Sequence, residues 1–407
     1  MQGDHESEGT MFSSECSPRL PETPELSFPL PMCAPPTPQD VDVDEDIPSP
    51  SSSSDVDERF PSESLRTASQ QLQLPPDVHV APPPSISSLL NNAQAKGCKS
   101  SNSFVLDVVK DVDLNEYAAK QSRYSFVGRL GESIYGYVYK AFDNQSRTFV
   151  AVKLSVLRVM QVAYHKAQAN PLLDVLESPL LEAKIMRRLN CNPHPSVLRF
   201  VDEFLSEDSK VHWLVTEYAP NGDLFDFVIK WKTSFLEPQA HRAFAQLALG
   251  LQHIHRSGFA HLDFSLENVL LDEHFNVKIC DFGVSRPIPP TGRFDGLHVR
   301  SKVGYMSAEV LQRETFDARS ADVFSLGVVL YGMLFVGHKP FEFASCEQVS
   351  YHLISTGRIR EYLIRSRTMV PVSEAALDLL SRMLCPEDRR ITLEGVLSHP
   401  FLKAFLS

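Results

Sequence analysis

The sequence predicts an α+β fold: a small lobe rich in strands, then a larger helical lobe, with a disordered tail in front of both. Three observations predict this class. Residues 1–102 are acidic and rich in proline and serine, strand patterns crowd between residues 124 and 219, and helical periodicity dominates from Pro238 onward. Strands first and helices afterwards are typical of an α+β body.

The tail differs from the rest of the chain in charge. Residues 1–100 hold 16 of the 51 acidic residues but only 5 of the 39 basic residues, so they carry −11 of the net charge of −12. They also hold 16 of the 29 prolines. Such a segment buries too little apolar surface to offset its ordering entropy. It is either a solvated tail without a specific task or a regulated tail that docks on a partner, and residues 103–123 lead from it into the body.

The composition also excludes several classes of protein. The body is close to neutral, which gives nucleic-acid binding little support. No apolar run reaches the roughly 18 residues of a membrane span, and MQGDHESEG lacks the pattern of a signal peptide. Seven cysteines without a C-x-x-C pair fit a reducing compartment. We therefore expect an intracellular, cytoplasmic protein without a membrane or nucleic-acid partner, and a nuclear location also stays open.

The small lobe is predicted from alternating apolar and polar residues bounded by glycine and asparagine. We expect five strands and one helix, in the order strands 124–131, 135–143 and 148–156, helix 177–189, strands 196–205 and 210–219. The stretch between Lys153 and Glu182 is longer than a turn requires. It is either an inserted loop or an extended helix.

The larger lobe is predicted from a change of period. After Pro238, five apolar residues fall at helical spacing: Phe244, Leu247, Ala248, Leu251 and Ile254. Two short apolar runs on either side of the turn at 273–276 predict a hairpin, and the chain is mostly helical after Asp322.

Chemistry-bearing residues begin in the small lobe. The turn GESIYG, at 131–136, lies between two predicted strands, where glycine lets backbone amides approach phosphates closely. Taken alone, this motif is weak, and a plain hairpin turn is the better interpretation of it. Lys153 stands inside an apolar strand, where a lysine needs an anion, and Glu182 on the following helix is a candidate.

Oxygen ligands follow in the larger lobe. Asp263 and Asn268 lie five residues apart on one loop, and Asp281-Phe282-Gly283 comes shortly after. Their carboxylate and amide oxygens are hard ligands of the kind that Mg²⁺ accepts.

This series of motifs resembles the protein kinase family over residues 124–402. The family pattern of glycine-rich loop, V-A-I-K, H-R-D-L-x-x-x-N, D-F-G and A-P-E stands here as GESIYG, VAVK, HLDFSLEN, DFG and SAE. The chain is most similar to serine/threonine kinases of the calmodulin-dependent type. The resemblance implies a bilobal kinase fold, with an N-lobe at about 124–218 and a C-lobe at about 219–402. It also implies transfer of the γ-phosphoryl group of Mg-ATP to hydroxyls of protein substrates.

The resemblance also implies a role for each site residue. Lys153 holds the α- and β-phosphates of ATP, Asp263 orients the substrate hydroxyl, and Asn268 and Asp281 hold Mg²⁺. The residues expected to contact ATP run from the glycine-rich loop to the hinge: Gly131, Ser133, Gly136, Val138, Ala151, Lys153, Glu182, Thr216, Glu217, Ala219 and Asp223.

The resemblance implies two structural roles as well. Asp322 braces the catalytic loop, and Glu309 pairs with either Arg389 or Arg390. Asp223 and Glu267 stand where kinases that prefer basic substrates carry acids, although a helix N-cap is an equal alternative for Asp223.

Three substitutions depart from the family pattern without touching the catalytic carboxylates. Ser133 replaces the middle glycine of the loop, and Ala308 replaces the proline of A-P-E. Leu262 replaces the arginine that gathers a phosphorylated activation loop, which suggests that phosphate there is not the main switch. Arg293 or Arg300 is the alternative phosphate ligand.

Ser265 is the most serious departure. Serine/threonine kinases carry a lysine in that position, and they carry a threonine where this chain has Lys302. The two positions face each other in that fold, so lysine and hydroxyl are exchanged. We hypothesise that Lys302 acts catalytically and supplies the positive charge that the transition state needs. The alternative is that Lys302 points to water.

Cys280 has two interpretations. It lies directly before D-F-G, so it either lines the ATP pocket within reach of an electrophile or serves as a small buried apolar residue.

Two functions of different kinds remain. One is an active serine/threonine kinase; the other is a pseudokinase or nucleotide-binding scaffold with little phosphotransfer. The substitutions in the loops favour the scaffold, whereas the intact phosphate- and metal-binding residues favour the enzyme.

Overall fold

The computed structural model describes residues 123–162, 177–206, 210–231, 237–296, 301–368 and 370–406. The predicted tail at 1–102 lies outside the described residues. So do residues 163–176 of the stretch between Lys153 and Glu182, in which residues 157–162 are helical.

The N-lobe contains one antiparallel sheet of five strands in the order β1-β2-β3-β5-β4. The strands are β1 Tyr124–Ser133, β2 Gly136–Asp143, β3 Thr148–Val156, β4 Phe200–Leu205 and β5 Val211–Glu217. Helix α1, Pro179–Leu189, begins at Ser178, whose side chain accepts a hydrogen bond from Leu181 N at 3.3 Å. The α+β class and the small strand-rich lobe are thereby confirmed.

Alternation along β3 decides what this sheet buries. Val150, Val152, Leu154 and Val156 are all buried on one face, where they pack with Trp213 of β5. Each contributes about 1.5–3 kcal/mol relative to an exposed position. Because side chains alternate along a strand, Lys153 points from the opposite face.

The C-lobe is mainly helical. Its helices are α2 Leu224–Trp231, α3 Glu237–Arg256, α4 Ala308–Leu311, α5 Ala318–Leu334, α6 Val349–Ser355, α7 Ile359–Arg365, α8 Glu374–Met383, α9 Leu393–Leu397 and α10 Pro400–Leu406. Its short strands form antiparallel pairs: β6 Phe259–Ala260 with β9 Arg286–Pro287, β7 Val269–Leu271 with β8 Val277–Ile279, and β10 Arg293–Phe294 with β11 Phe316–Asp317. Nowhere in the described ranges is a helix both long enough and apolar enough to cross a membrane.

Helices α3 and α5 form the centre of the C-lobe. The five apolar residues predicted to line one face of α3 are all completely buried. Helix α5 is buried over almost its whole length. It begins at Asp317, whose Oδ1 accepts from Arg319 N at 2.8 Å and from Ser320 N at 3.1 Å. Both helices contact β6, the short strand that leads into the catalytic loop.

One predicted strand is shorter than expected. The strand predicted at 196–205 begins only at Phe200. Residues 196–198 pair with β8 of the C-lobe instead, since Ile279 N donates to Ser196 O at 2.8 Å and Leu198 N donates to Ile279 O at 2.9 Å. Both patterns are apolar and extended, so periodicity alone did not reveal the change of partner.

A buried ion pair holds the end of the activation segment, which runs from D-F-G at 281–283 to S-A-E at 307–309. Arg390 Nη1 lies 2.6 Å from Glu309 Oε1, and neither side chain is more than 9% exposed. Arg390, not Arg389, is therefore the partner of Glu309. Burial alone would raise the pKa of Glu309, but the guanidinium of Arg390 outweighs burial and holds that pKa below its usual range.

Candidate active site

Lys153 lies at the centre of a cluster of charges between the two lobes. Its Nζ is 2.8 Å from Glu182 Oε2 on α1 and 3.3 Å from Asp281 Oδ1. Burial alone would lower the pKa of Lys153, but the two carboxylates outweigh burial and raise it well above its ordinary value. The same ammonium lowers the pKa of Asp281 despite burial. Lys153 and Asp281 are therefore both charged at neutral pH.

The glycine-rich loop is a tight hairpin. Ser133 pairs with Gly136, so only two residues form the turn. Gly136 is required there, because a Cβ atom would lie 2.0 Å from the carbonyl oxygen of Leu154. The Ser133 hydroxyl oxygen is buried without a hydrogen-bond partner among the described residues. A buried hydroxyl in this position fits a site where a ligand completes the hydrogen bonding.

The catalytic loop is braced from below by Asp322 of α5. Its carboxylate accepts hydrogen bonds from His261 N at 2.8 Å and from Leu262 N at 2.7 Å. Its Oδ2 also lies 2.8 Å from His255 Nε2. Leu262 has a φ of 63°, which is unusual for a bulky residue, so these bonds hold a turn that leucine does not prefer.

The side chain of Leu262 belongs to a small apolar cluster beside the activation segment. The other buried members are Ala260, Met306, Val310, Phe316, Ala318 and Ala321. The position where the family carries a phosphate-binding arginine is therefore packed with hydrocarbon. Arg293, one suggested substitute, is engaged elsewhere with Glu387 at 2.7 Å; the other, Arg300, lies outside the described residues.

Asp263 and Asn268 orient each other. Asn268 Nδ2 donates to Asp263 Oδ2 and to Asp263 O, both at 2.8 Å. Ser301 Oγ donates to Asp263 Oδ1 at 2.9 Å. Since the Asn268 amide nitrogen is engaged with Asp263, its oxygen is the atom left for a cation. Burial raises the pKa of Asp263, although the ammonium of Lys302 opposes the rise.

The side chains of Lys302 and Ser265 are in direct contact. Lys302 Nζ donates to Ser265 Oγ at 2.7 Å and lies 3.5 Å from Asn268 Oδ1. It is also 3.7 Å from Glu267 Oε2. An ammonium group therefore stands beside the catalytic loop in the place that the exchange of lysine and hydroxyl requires.

One acid of the site, Glu177, was missed by sequence reasoning. It precedes the N-cap of α1 and lines the same cavity as Lys153 and Asp281. Burial and the charge of Asp281 raise the pKa of Glu177 to about 8. The sequence shows only that Glu177 precedes Ser178 at the start of a helix. That position does not indicate whether its side chain faces the cavity or solvent.

The cavity between the lobes has a volume of about 460 Å³, within the range of small-molecule sites. Of the residues predicted to bind ATP or metal, those that line it are Ser133, Val138, Ala151, Lys153, Glu182, Thr216, Asn268 and Asp281. The other predicted site residues, which stand outside that lining, are Gly131, Gly136, Glu217, Ala219, Asp223, Asp263 and Lys302.

Two of these outer residues have structural tasks of their own. Glu217 accepts from Arg199 N at 2.9 Å and pairs with Lys278 at 3.1 Å. Asp223 Oδ1 accepts from Asp226 N at 2.8 Å at the start of α2, which is the hydrogen bond that a helix N-cap makes.

Cys280 combines both of its interpretations. It lines the cavity, and burial raises the pKa of its thiol well above the ordinary value. The thiol is therefore protonated at neutral pH and is a poor nucleophile.

The oxygen donors of the site suit a magnesium ion that is bound together with phosphate. Across the described ranges, no group of three or more His, Cys, Asp and Glu side chains is placed to hold a metal by itself. Mg²⁺, however, is usually held by one or two carboxylates together with substrate phosphates. Asp281 and the amide oxygen of Asn268 fit that second arrangement.

Comparison with known proteins defines the class. The protein kinase domain matches this chain over residues 124–402. The chain therefore belongs to the protein kinase family, as the motifs predicted.

Two relatives are similar over more than two thirds of this chain. CBL-interacting protein kinase 4 of Oryza sativa subsp. japonica is 34% identical over 290 residues, which cover 70% of this chain and 59% of that protein. Serine/threonine-protein kinase cds1 of Schizosaccharomyces pombe is 30% identical over 299 residues, which cover 72% of this chain and 61% of that protein. The chain thus spans about 60% of the length of these relatives.

Proposed function

We propose that this protein is an active serine/threonine kinase that transfers the γ-phosphoryl group of ATP to hydroxyls of protein substrates. The observation that carries the proposal is the contact of Lys302 Nζ with Ser265 Oγ at 2.7 Å. The Lys302 ammonium provides the positive charge that is missing at position 265, where other serine/threonine kinases carry a lysine. The absence of that lysine was the strongest argument for a degenerate site.

The charged side chains divide the chemistry among them. Lys153, held by Glu182, binds the α- and β-phosphates, and the Ser133 hydroxyl donates to a phosphate oxygen. Asn268 and Asp281 hold Mg²⁺, which neutralises charge on the phosphates when it is bound. Asp263 then orients the substrate hydroxyl for in-line attack.

Lys302 acts on the charge that develops during transfer. Negative charge spreads over the phosphoryl oxygens in the transition state. A positioned ammonium stabilises that charge more than it stabilises the ground state, so it accelerates the chemical step. The hydrogen bond to Ser265 holds the amine in place.

We further propose a preference for basic substrates. Glu267 is about one-third exposed beside the catalytic loop, with Tyr305 Oη donating to its Oε2 at 3.2 Å. Burial raises the pKa of Asp223, and the charges of Asp226 and Glu267 add to that rise. Glu267 thus contributes to the negative potential at Asp223. An arginine upstream of the target serine suits that surface.

The test is phosphotransfer by the full-length protein. Radiolabelled ATP, Mg²⁺ and a serine peptide with an upstream arginine are expected to give labelled phosphoserine, and Asp281→Asn is expected to abolish it. A peptide with glutamate in place of that arginine is expected to react at least about tenfold more slowly. Nucleotide-dependent thermal stabilisation without transfer would establish the pseudokinase instead.

A further inference from the structure

The backbone around Glu177 holds this residue in the lining of the cavity, together with Lys153 and Asp281. Tyr135 Oη, from the tip of the glycine-rich loop, donates to Glu177 O at 3.0 Å. The next residue, Ser178, donates its N–H to Gly283 O at 2.9 Å. Glu177 is thereby tied both to the glycine-rich loop and to the D-F-G segment.

The side chain of Glu177 rests on Gly283. A Cβ atom on that glycine would lie 3.0 Å from Glu177 Cγ and 3.2 Å from Oε2, which is closer than ordinary contacts. Glycine at 283 therefore leaves the room that Glu177 occupies. The carboxylate is packed against the segment that carries Asp281.

The charges at this end of the cavity are unbalanced. They comprise four carboxylates and two ammonium groups: Glu177, Glu182, Asp263, Asp281, Lys153 and Lys302. Lys153 already pairs with Glu182 and Asp281, and the described residues contribute no ion pair to Glu177. A nucleotide triphosphate adds further negative charge here, so this end of the cavity favours a divalent cation once the nucleotide is bound.

We propose that Glu177 is an additional oxygen ligand for the divalent cation beside Asp281, and that it strengthens nucleotide binding only when that cation is present. The inference rests on the proposed function, since the cation is the one that accompanies ATP. Mg²⁺ prefers oxygen ligands and accepts carboxylates together with phosphates. The side chain therefore supports nucleotide binding through the cation and contributes little to it when the cation is absent.

The test measures binding, not turnover. Calorimetry follows a non-hydrolysable ATP analogue onto the full-length protein, once in excess Mg²⁺ and once in EDTA. The parent is expected to bind at least about tenfold more weakly in EDTA. In Glu177→Gln that ratio is expected to shrink by about tenfold, because a cation ligand is lost in Mg²⁺ whereas binding in EDTA changes little.

A direct metal measurement accompanies it. Mn²⁺ bound to the complex of protein and analogue, followed by electron paramagnetic resonance, is expected to bind Glu177→Gln about tenfold more weakly. Glu273→Gln is the matched control, because its side chain is 75% exposed in the β7–β8 turn. It is expected to leave both measurements within about twofold of the parent.

A second variant guards against misfolding of the first. Tyr135→Phe keeps the carboxylate but removes one hydrogen bond that positions it, so an intermediate ratio is expected. Variants at both positions that retain the parent's metal dependence overturn the inference. A parent that fails to bind the analogue even in Mg²⁺ overturns the proposed function itself, which is a distinguishable outcome.

Discussion

Replacing Lys302 by methionine is the most direct test of the catalytic role proposed for its ammonium group. The substitution keeps the length and the apolar stem of the side chain and removes only the ammonium group. That group donates to Ser265 Oγ at 2.7 Å and lies 3.5 Å from Asn268 Oδ1. In the proposed mechanism it stabilises charge on the transferring phosphoryl group.

The expected loss follows from comparable donors. Removing one positioned donor to a developing negative charge lowers kcat by about 10²–10³, or about 2.7–4 kcal/mol. The Lys302 side chain is 37% exposed, so water screens part of its field. We therefore expect the lower end of that range, about 10²-fold in kcat. KM for ATP is expected to change less than about threefold, because Lys153 holds the phosphates in the ground state.

The assay is steady-state phosphorylation of the basic serine peptide, with thermal melting to verify the fold. The reciprocal double variant, Ser265→Lys with Lys302→Thr, returns the amine to the usual side of the site. Because the two side chains touch, it is expected to recover at least about tenfold of the lost rate. A Lys302→Met protein as fast as the parent refutes the reasoning. A slow one that the double variant does not rescue shows that the charge itself is not what matters.

Three further predictions concern stability. Arg390→Met is expected to lower the free energy of unfolding by about 3–5 kcal/mol in urea titrations, because it leaves the Glu309 carboxylate buried without a cation; Arg389→Met, the neighbouring control, is expected to cost less than about 1 kcal/mol. The pKa of Glu309 is lowered in the folded protein, so the stability from its pair is complete above the unfolded pKa of about 4.3 and is lost as the pH falls through the folded pKa. Urea titrations across acidic pH are expected to show that loss in the parent and not in Arg390→Met. Leu262→Arg is expected to lower the melting temperature without raising kcat, because the new charge enters an apolar cluster; a stable, faster variant would contradict this.

The sequence predicted the position of a side chain well wherever a regular period or a short loop sets that position. Alternation along β3 places Lys153 opposite the buried valines, so its exposure to the cavity follows from the strand period. The face of α3 followed in the same way from its helical period. The five-residue step from Asp263 to Asn268 is short enough for the two side chains to meet within a single loop.

The sequence was a poor guide where position depends on the packing of distant segments. Glu177 lies just outside a helix, and neither period nor motif says that the chain folds it onto Gly283. The change of partner at 196–198 is equally invisible, because strand-forming residues pair with whichever edge is nearest. The environment of Leu262 is likewise set by contacts with residues such as Met306 and Phe316, far along the chain.

The Leu262 cluster has consequences for how the activation segment responds to its surroundings. An arginine–phosphate anchor weakens as salt rises, since ions screen exposed charges beyond a Debye length of about 8 Å at physiological ionic strength. Contacts among hydrocarbon side chains are not weakened in that way, and kosmotropic salts strengthen them. They lose strength on cooling and in urea instead. Order in this part of the segment should therefore tolerate salt and phosphatase and be most sensitive to cold and to chaotropes.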